Sequence, residues 1–111
     1  MLLMNLPHTV LVQDLKALLD SKANFCLIDV RQDWEFDLCS IENSLNIPLN
    51  LLPQRLEEIP KDLPLFILCH HGVRSEQATV FLKNAGFQNV SNIKGGIDAW
   101  AKEIDTTLKT Y

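Results

Sequence analysis

The chain has 111 residues, a hydrophobic fraction of 47% and a formal net charge of −4. This length and apolar content suit one domain, residues 1–111, with enough core to fold unaided. The acidic balance argues against nucleic acid or an anionic membrane surface as a partner, because neither attracts a negative protein.

In chain order, Leu11, Leu15, Leu18 and Leu19 share one face of a helix that ends near Asp20 or Ser21. Phe25 to Val30 is a nearly continuous apolar run, the pattern of a strand covered on both faces. Asp33 to Leu38 reads as one or two helical turns, and Ser44 to Ile47 as a short strand stopped by Pro48. Leu51 to Glu58 is expected to be a helix with Pro53 in its first turn. Leu65 to Leu68 is a buried strand. A helix then runs to about Ala85, with Ala78, Phe81, Leu82 and Ala85 on one face and Gly86 placed to end it in a left-handed conformation. Asn89 to Ile93 is another strand, and Ile97 to Ile104 the last helix. Strands alternating with helices imply an α/β fold: a central parallel sheet of four to five strands with helices on both faces. Ligands of such sheets bind beyond the carboxyl ends of the strands, where Asp29, Arg31 and Cys69 all fall.

The chemistry concentrates in Cys69-His70-His71-Gly72-Val73-Arg74-Ser75, between a strand and a helix start. Free amides of a first helical turn and the helix dipole favour a thiolate placed there. Arg74 adds a fixed positive charge, and Gly72 allows backbone conformations closed to other residues. Four residues separate Cys69 from Arg74, one fewer than in the phosphatase-type loop. A smaller amide ring suits one extra sulfur on Cys69 better than a tetrahedral phosphate, which weighs against a phosphatase or arsenate reductase.

The segment resembles the active-site loop of the rhodanese family of sulfurtransferases, Cys-x-x-Gly-x-Arg followed by a small residue. Leu27-Ile28-Asp29-Val30-Arg31 with Trp34-Glu35-Phe36, then Ile41 and Asn46-Ile47-Pro48, resemble the family's earlier motifs. Gly86-Phe87-Gln88-Asn89-Val90 and Gly95-Gly96-Ile97-Asp98-Ala99-Trp100 resemble its closing ones. The resemblance implies a small rhodanese-like domain and a sulfurtransferase reaction through a persulfide on Cys69. The donor would be a small sulfur anion such as thiosulfate, or a persulfide, and the acceptor cyanide or a thiol. A persulfide carrier in a protein sulfur relay, with protein donor and acceptor, is the alternative. An inactive binding module fits poorly with the retained Cys69 and Arg74. No cofactor or metal is implied. The turn Cys39-Ser40-Ile41-Glu42-Asn43-Ser44 departs from the family's Gly-His-Ile-Pro-Gly-Ala, although Asn43 can take its left-handed conformation.

Cys69 is thus the expected nucleophile, with His70, His71, Gly72, Val73, Arg74 and Ser75 forming the sulfur-binding loop. Arg74 would present its fork to an oxyanion donor or else brace the loop. The two histidines would either meet substrate or form plain loop surface. Asp29 and Arg31 are expected to support the loop from behind, Asp29 accepting hydrogen bonds from loop backbone or from Arg31. A zinc site built on Cys69, His70 and His71 is disfavoured, since adjacent side chains diverge and no second ligand cluster has metal spacing. Cys26 is expected in the core, Cys39 in a partly exposed turn as a candidate resolving thiol, Trp34 and Trp100 in packing positions, and Glu42 and Asp98 in solvent. With three cysteines, an odd number, a complete internal disulfide framework is excluded. Met1 to Leu6 is apolar but lacks the charged start and cleavage site of a signal peptide, and no run approaches a membrane span of roughly 20 residues. The expected setting is reducing and cytoplasmic.

Overall fold

A computed structural model describes residues 6–111; residues 1–5 of the expected domain, with most of its apolar start, lie outside the described part. The elements are β1 (Thr9–Val10), α1 (Val12–Asp20), β2 (Cys26–Asp29), α2 (Asp33–Leu38), β3 (Leu45–Asn46), two 3₁₀ segments (Leu49–Gln54 and Leu56–Glu58), β4 (Leu65–Leu68), α3 (Val73–Asn84), β5 (Val90–Ile93) and α4 (Gly96–Glu103). The strands form one sheet in the order β1-β5-β4-β2-β3, and every pairing is parallel. The α/β architecture read from the sequence is therefore the one observed.

Alternation along the central strands assigns each face. Ile28 and Ile67 point to a cluster completed by Ala78 and Leu82 of α3 and by Leu52 and Ile59 from the 3₁₀ region. Leu27, Phe66 and Leu68 point the other way, onto Leu15 of α1 and Ile97 and Trp100 of α4. Most of these side chains are fully buried, each contributing about 1.5–3 kcal/mol of transfer free energy. Two-sided burial is why the strands read as unbroken apolar runs.

Two elements differ from expectation, for identifiable reasons. The segment expected as a helix over Leu51 to Glu58 is a pair of 3₁₀ turns beginning at Leu49. Pro53 thus falls inside the segment, where an α-helix would need its missing N–H, and the chain turns on shorter bonds such as Leu51 N to Pro48 O at 2.8 Å. Strand β1, two residues long, is defined wholly by partners distant in sequence: the Asn92 amide donates to His8 O and that of Lys94 to Val10 O.

Exposure corrects four further expectations. Trp34 is 61% exposed rather than packed, and Cys39 is buried rather than partly exposed. Cys26 is only half-buried, and Asp98 is half-buried and paired with Lys102 at 3.0 Å rather than free in solvent. Trp100 is buried, Glu42 exposed, and Asn43 takes the left-handed conformation at φ 68°. Among the described residues no helix is long and apolar enough to cross a membrane.

Candidate active site

Cys69 follows β4 directly, at the carboxyl edge of the sheet between β2 and β5. The loop reverses at Gly72, whose φ of +105° is the left-handed region, and Val73 opens α3. Gly72 donates its amide to Cys69 Sγ at 3.0 Å. The amides of Val73, Arg74 and Ser75 belong to the first turn of α3 and have no intrahelical acceptor. The sulfur therefore sits at a helix N-terminus with one amide already directed at it, although Cys69 itself is only 1% exposed.

Beneath the sulfur lies a polar chain. Ser75 Oγ is 3.2 Å from Cys69 Sγ and donates to Asn92 Oδ1 at 2.5 Å. Asn92 Nδ2 faces two acceptors, Gly72 O at 3.3 Å and Glu76 Oε1 at 3.4 Å, so its amide orientation is fixed. With its proton committed to Asn92, the Ser75 hydroxyl offers a lone pair to the neutral thiol. Asn92 was not singled out in the sequence; the polar pair Ser91-Asn92 inside the short strand between Val90 and Ile93 was the available signal.

The loop is held from two sides. Helix α4 supplies the first bracket: Ile97 N donates to Cys69 O at 2.8 Å and Asp98 N to His70 O at 3.1 Å. Gly96 makes that approach possible, because a Cβ there would collide with both loop carbonyl oxygens. The second bracket is Glu35. Arg74 lays its fork on this carboxylate, Nη1 to Oε2 at 2.7 Å and Nη2 to Oε1 at 2.8 Å. Of the two roles open to Arg74, bracing is the one its contacts describe. Glu35, which sequence reasoning passed over, is the buried anion that joins α2 to the loop.

The Arg74 hydrogen bonds hold the Glu35 carboxyl down at about 2, against the opposing effect of burial. Its ordinary value is 4.5, so its contribution to stability is complete above that pH and is lost as pH falls through about 2. Allowing for the partial exposure of Arg74, the effect is roughly 2 kcal/mol. Urea midpoints measured at pH 7, 4.5 and 3 should fall more steeply for wild type than for Glu35→Gln, which starts lower. Parallel pH dependence in the two proteins would contradict this role.

Asp29 and Arg31 lie together, both fully buried. Arg31 donates from Nε and Nη2 to the Asp29 carboxylate, at 2.9 and 2.7 Å for the shorter contacts, from Nη2 to Cys39 O at 2.7 Å and from Nη1 to Glu35 O at 3.1 Å. Asp29 thus accepts from Arg31, one of the two alternatives read from the sequence. Arg31 ties the end of β2 to both ends of α2, and so reaches the cysteine loop through Glu35.

His70 and His71 stack, centroids 4.0 Å apart, and Tyr111 stacks on the other face of His70 at 3.9 Å and 5°. Burial first, then the neighbouring His71, pushes the His70 pKa down. Tyr111, raised to about 12 chiefly by burial, gave no sequence signal. Among the described residues, His70, His71 and Asp98 place one ligand atom each within 4.8 Å of one another. The imidazole planes are only 30° apart, so their in-plane lone pairs run side by side instead of converging, and Lys102 already holds Asp98.

Comparison with known proteins agrees with this geometry. The model of the Rhodanese-like domain matches residues 11–103. The "Sulfurtransferase" of Allochromatium vinosum is 42% identical over 76 residues, 68% of this chain and 71% of that protein. The "Probable adenylyltransferase/sulfurtransferase MoeZ" of Mycobacterium tuberculosis is 35% identical over 105 residues, 93% of this chain and 27% of that protein. The chain thus spans about a quarter of the length of the adenylyltransferase/sulfurtransferases it matches. The human single-domain sulfurtransferase TSTD1 superposes with a TM-score of 0.79 at 28% identity, covering 87% of this chain and 97% of that one. With the cysteine loop, its α4 bracket and the ordered motifs all inside the matched span, the chain belongs to the rhodanese-like domain family.

Proposed function

We propose that residues 1–111 act as one sulfurtransferase unit that carries sulfur as a persulfide on Cys69. The observation that carries this reading is the Gly72 amide on Cys69 Sγ at 3.0 Å, at a helix start. In the first half-reaction the Cys69 thiolate attacks the outer sulfur of thiosulfate. The S–S bond of the donor breaks, sulfite leaves with the electron pair, and Cys–S–S⁻ remains. In the second, cyanide or a thiolate attacks the outer sulfur, forming thiocyanate or a new persulfide, and the Cys69 thiolate returns. When the thiol ionises, the Ser75 hydroxyl can turn from Asn92 to donate to the sulfur. The first-turn amides and Gly72 then stabilise an anionic terminal sulfur by charge-assisted hydrogen bonds. Arg74, committed to Glu35, fixes the loop radius and contributes positive potential.

The cysteine-to-arginine spacing supports sulfur over phosphate chemistry. A role as a persulfide carrier between proteins is the second reading. It is favoured by relatives in which the matched segment is a minor part of a longer adenylyltransferase/sulfurtransferase. Initial rates with varied thiosulfate and cyanide should give parallel double-reciprocal lines, the pattern of a two-step covalent mechanism. Intersecting lines would contradict an enzyme-bound sulfur intermediate. A much faster transfer from a protein persulfide than from thiosulfate would select the relay reading.

A further inference from the structure

After α4 the chain turns at Asp105, whose carboxylate accepts from Thr107 N and Oγ1, and returns across the sheet edge. Leu108 anchors this return on the α1/α4 side of the core. The segment ends over the cysteine loop with Tyr111, which lies beyond the family-matched span of residues 11–103. Its ring and its hydroxyl are engaged independently. The ring lies parallel to His70, the residue after Cys69, and meets Trp34 edge-on at 6.1 Å. Trp34, Tyr111, His70 and His71 thus form a row of four rings beside the loop. The hydroxyl donates to Glu35 Oε1 at 2.8 Å and accepts from Arg31 Nη1 at 3.0 Å. Glu35 Oε1 is the same oxygen that receives Arg74 Nη2, while Oε2 takes Arg74 Nη1 and the Gln32 amide. Tyr111 completes the hydrogen bonding of the carboxylate that braces the loop.

We propose that Tyr111 is a positioning residue for sulfur transfer, its ring fixing His70 and its hydroxyl fixing the Glu35–Arg74 brace so that the cysteine loop keeps one geometry. The proposal rests on the sulfurtransferase reading above. Its physical content is pre-organisation: a displacement of about 1 Å in a reacting group can cost up to about a hundredfold in rate. The two hooks are separable by substitution. Tyr111→Phe keeps the ring on His70 and removes both hydroxyl contacts. Tyr111→Leu removes both hooks while retaining an apolar side chain.

Three measurements on wild type and both variants decide the matter: kcat/KM for thiosulfate, the His70 ring resonances followed against pH by NMR, and the rate at which iodoacetamide alkylates Cys69. Thermal unfolding confirms that each variant is folded. Tyr111→Leu is expected to lower kcat/KM about tenfold and Tyr111→Phe about two- to threefold. In wild type and Tyr111→Phe the His70 ring protons should show the upfield shift of a stacked aromatic. In Tyr111→Leu that shift should shrink to the part supplied by the His71 ring, and the His70 titration should move up as burial is relieved. The charged and titratable groups facing His70 are His71, Asp98 and Glu35, besides Tyr111, and none is altered by the substitutions. A purely structural role would lower the melting temperature while leaving kcat/KM and the Cys69 alkylation rate of the folded variants at wild-type values. Wild-type kcat/KM in a folded Tyr111→Leu protein would overturn the proposal. If wild type itself transfers no sulfur, the sulfurtransferase reading falls. The positioning role is then still decided, because Tyr111→Leu must change both the His70 resonances and the Cys69 alkylation rate, and unchanged values reject it.

Discussion

Cys69→Ser is expected to abolish sulfur transfer and leave the fold intact. The side chain is almost the same size, and the buried position stays satisfied, because a serine hydroxyl can accept from Gly72 N and pair with Ser75 Oγ as the thiol does. What is lost is the nucleophile. A serine hydroxyl is not ionised at neutral pH, and no general base touches it: its neighbours are an amide and another hydroxyl. The rate should fall by at least about a thousandfold, to the background level, with a melting temperature near that of wild type. Cys26 and Cys39 are not expected to replace it. Cys26 sits at the start of β2, the opposite end of the strand from the site, and burial pushes its thiol pKa up. Cys39 is buried against Arg31. Alanine at either position should leave the first half-reaction in place. Activity in Cys69→Ser above a tenth of wild type would end the account.

The second large effect is on stability. Asp29→Ala is expected to be among the most destabilising single changes in the protein. It removes the carboxylate from Arg31, whose guanidinium is fully buried and would be left charged. Removing one partner of such a pair costs about 3–5 kcal/mol, a large share of the roughly 5–15 kcal/mol that holds a domain together. At about 4 °C per kcal/mol for a domain of this size, the melting temperature should drop by about 15 °C. Asp29→Asn keeps the shape and one acceptor and should lie between. Because Arg31 also donates to Cys39 O, Glu35 O and Tyr111 Oη, the loss should spread along α2 to the cysteine loop. A melting temperature within about 3 °C of wild type would show that Arg31 finds other compensation.

The part of this molecule legible in the sequence is the part written in local pattern. Runs such as Leu65 to Leu68 marked buried strands, Gly86 marked the end of α3, and the residues Cys69 to Ser75 marked a loop that joins a strand to a helix start. Features created by distant partners were not legible. Strand β1 exists only because β5 lies beside it. The 3₁₀ turns around Pro53 depended on where the segment began, and the sequence placed that start two residues late. Glu35 stood inside a recognised motif, yet an acidic residue in a first helical turn has an ordinary capping explanation, and its Glu35 N3-type bond to the Gln32 amide is present as well. Its pairing with Arg74 joins positions 39 apart. Tyr111 is further still, 76 residues from Glu35, and no periodicity connects them. Trp34, expected in a packing position, lies exposed on α2, and its edge-on contact is with that same distant tyrosine.

The central claim is that Cys69 holds a transferable sulfur atom, and intact mass spectrometry tests it most directly. Reduced protein is incubated with thiosulfate, freed of excess donor and weighed, then weighed again after cyanide. The account predicts a gain of one sulfur atom, about 32 Da, mapped to the peptide carrying Cys69, absent in Cys69→Ser and removed by cyanide as thiocyanate forms. No added mass in wild type under conditions that support turnover, or the same added mass in Cys69→Ser, would contradict it.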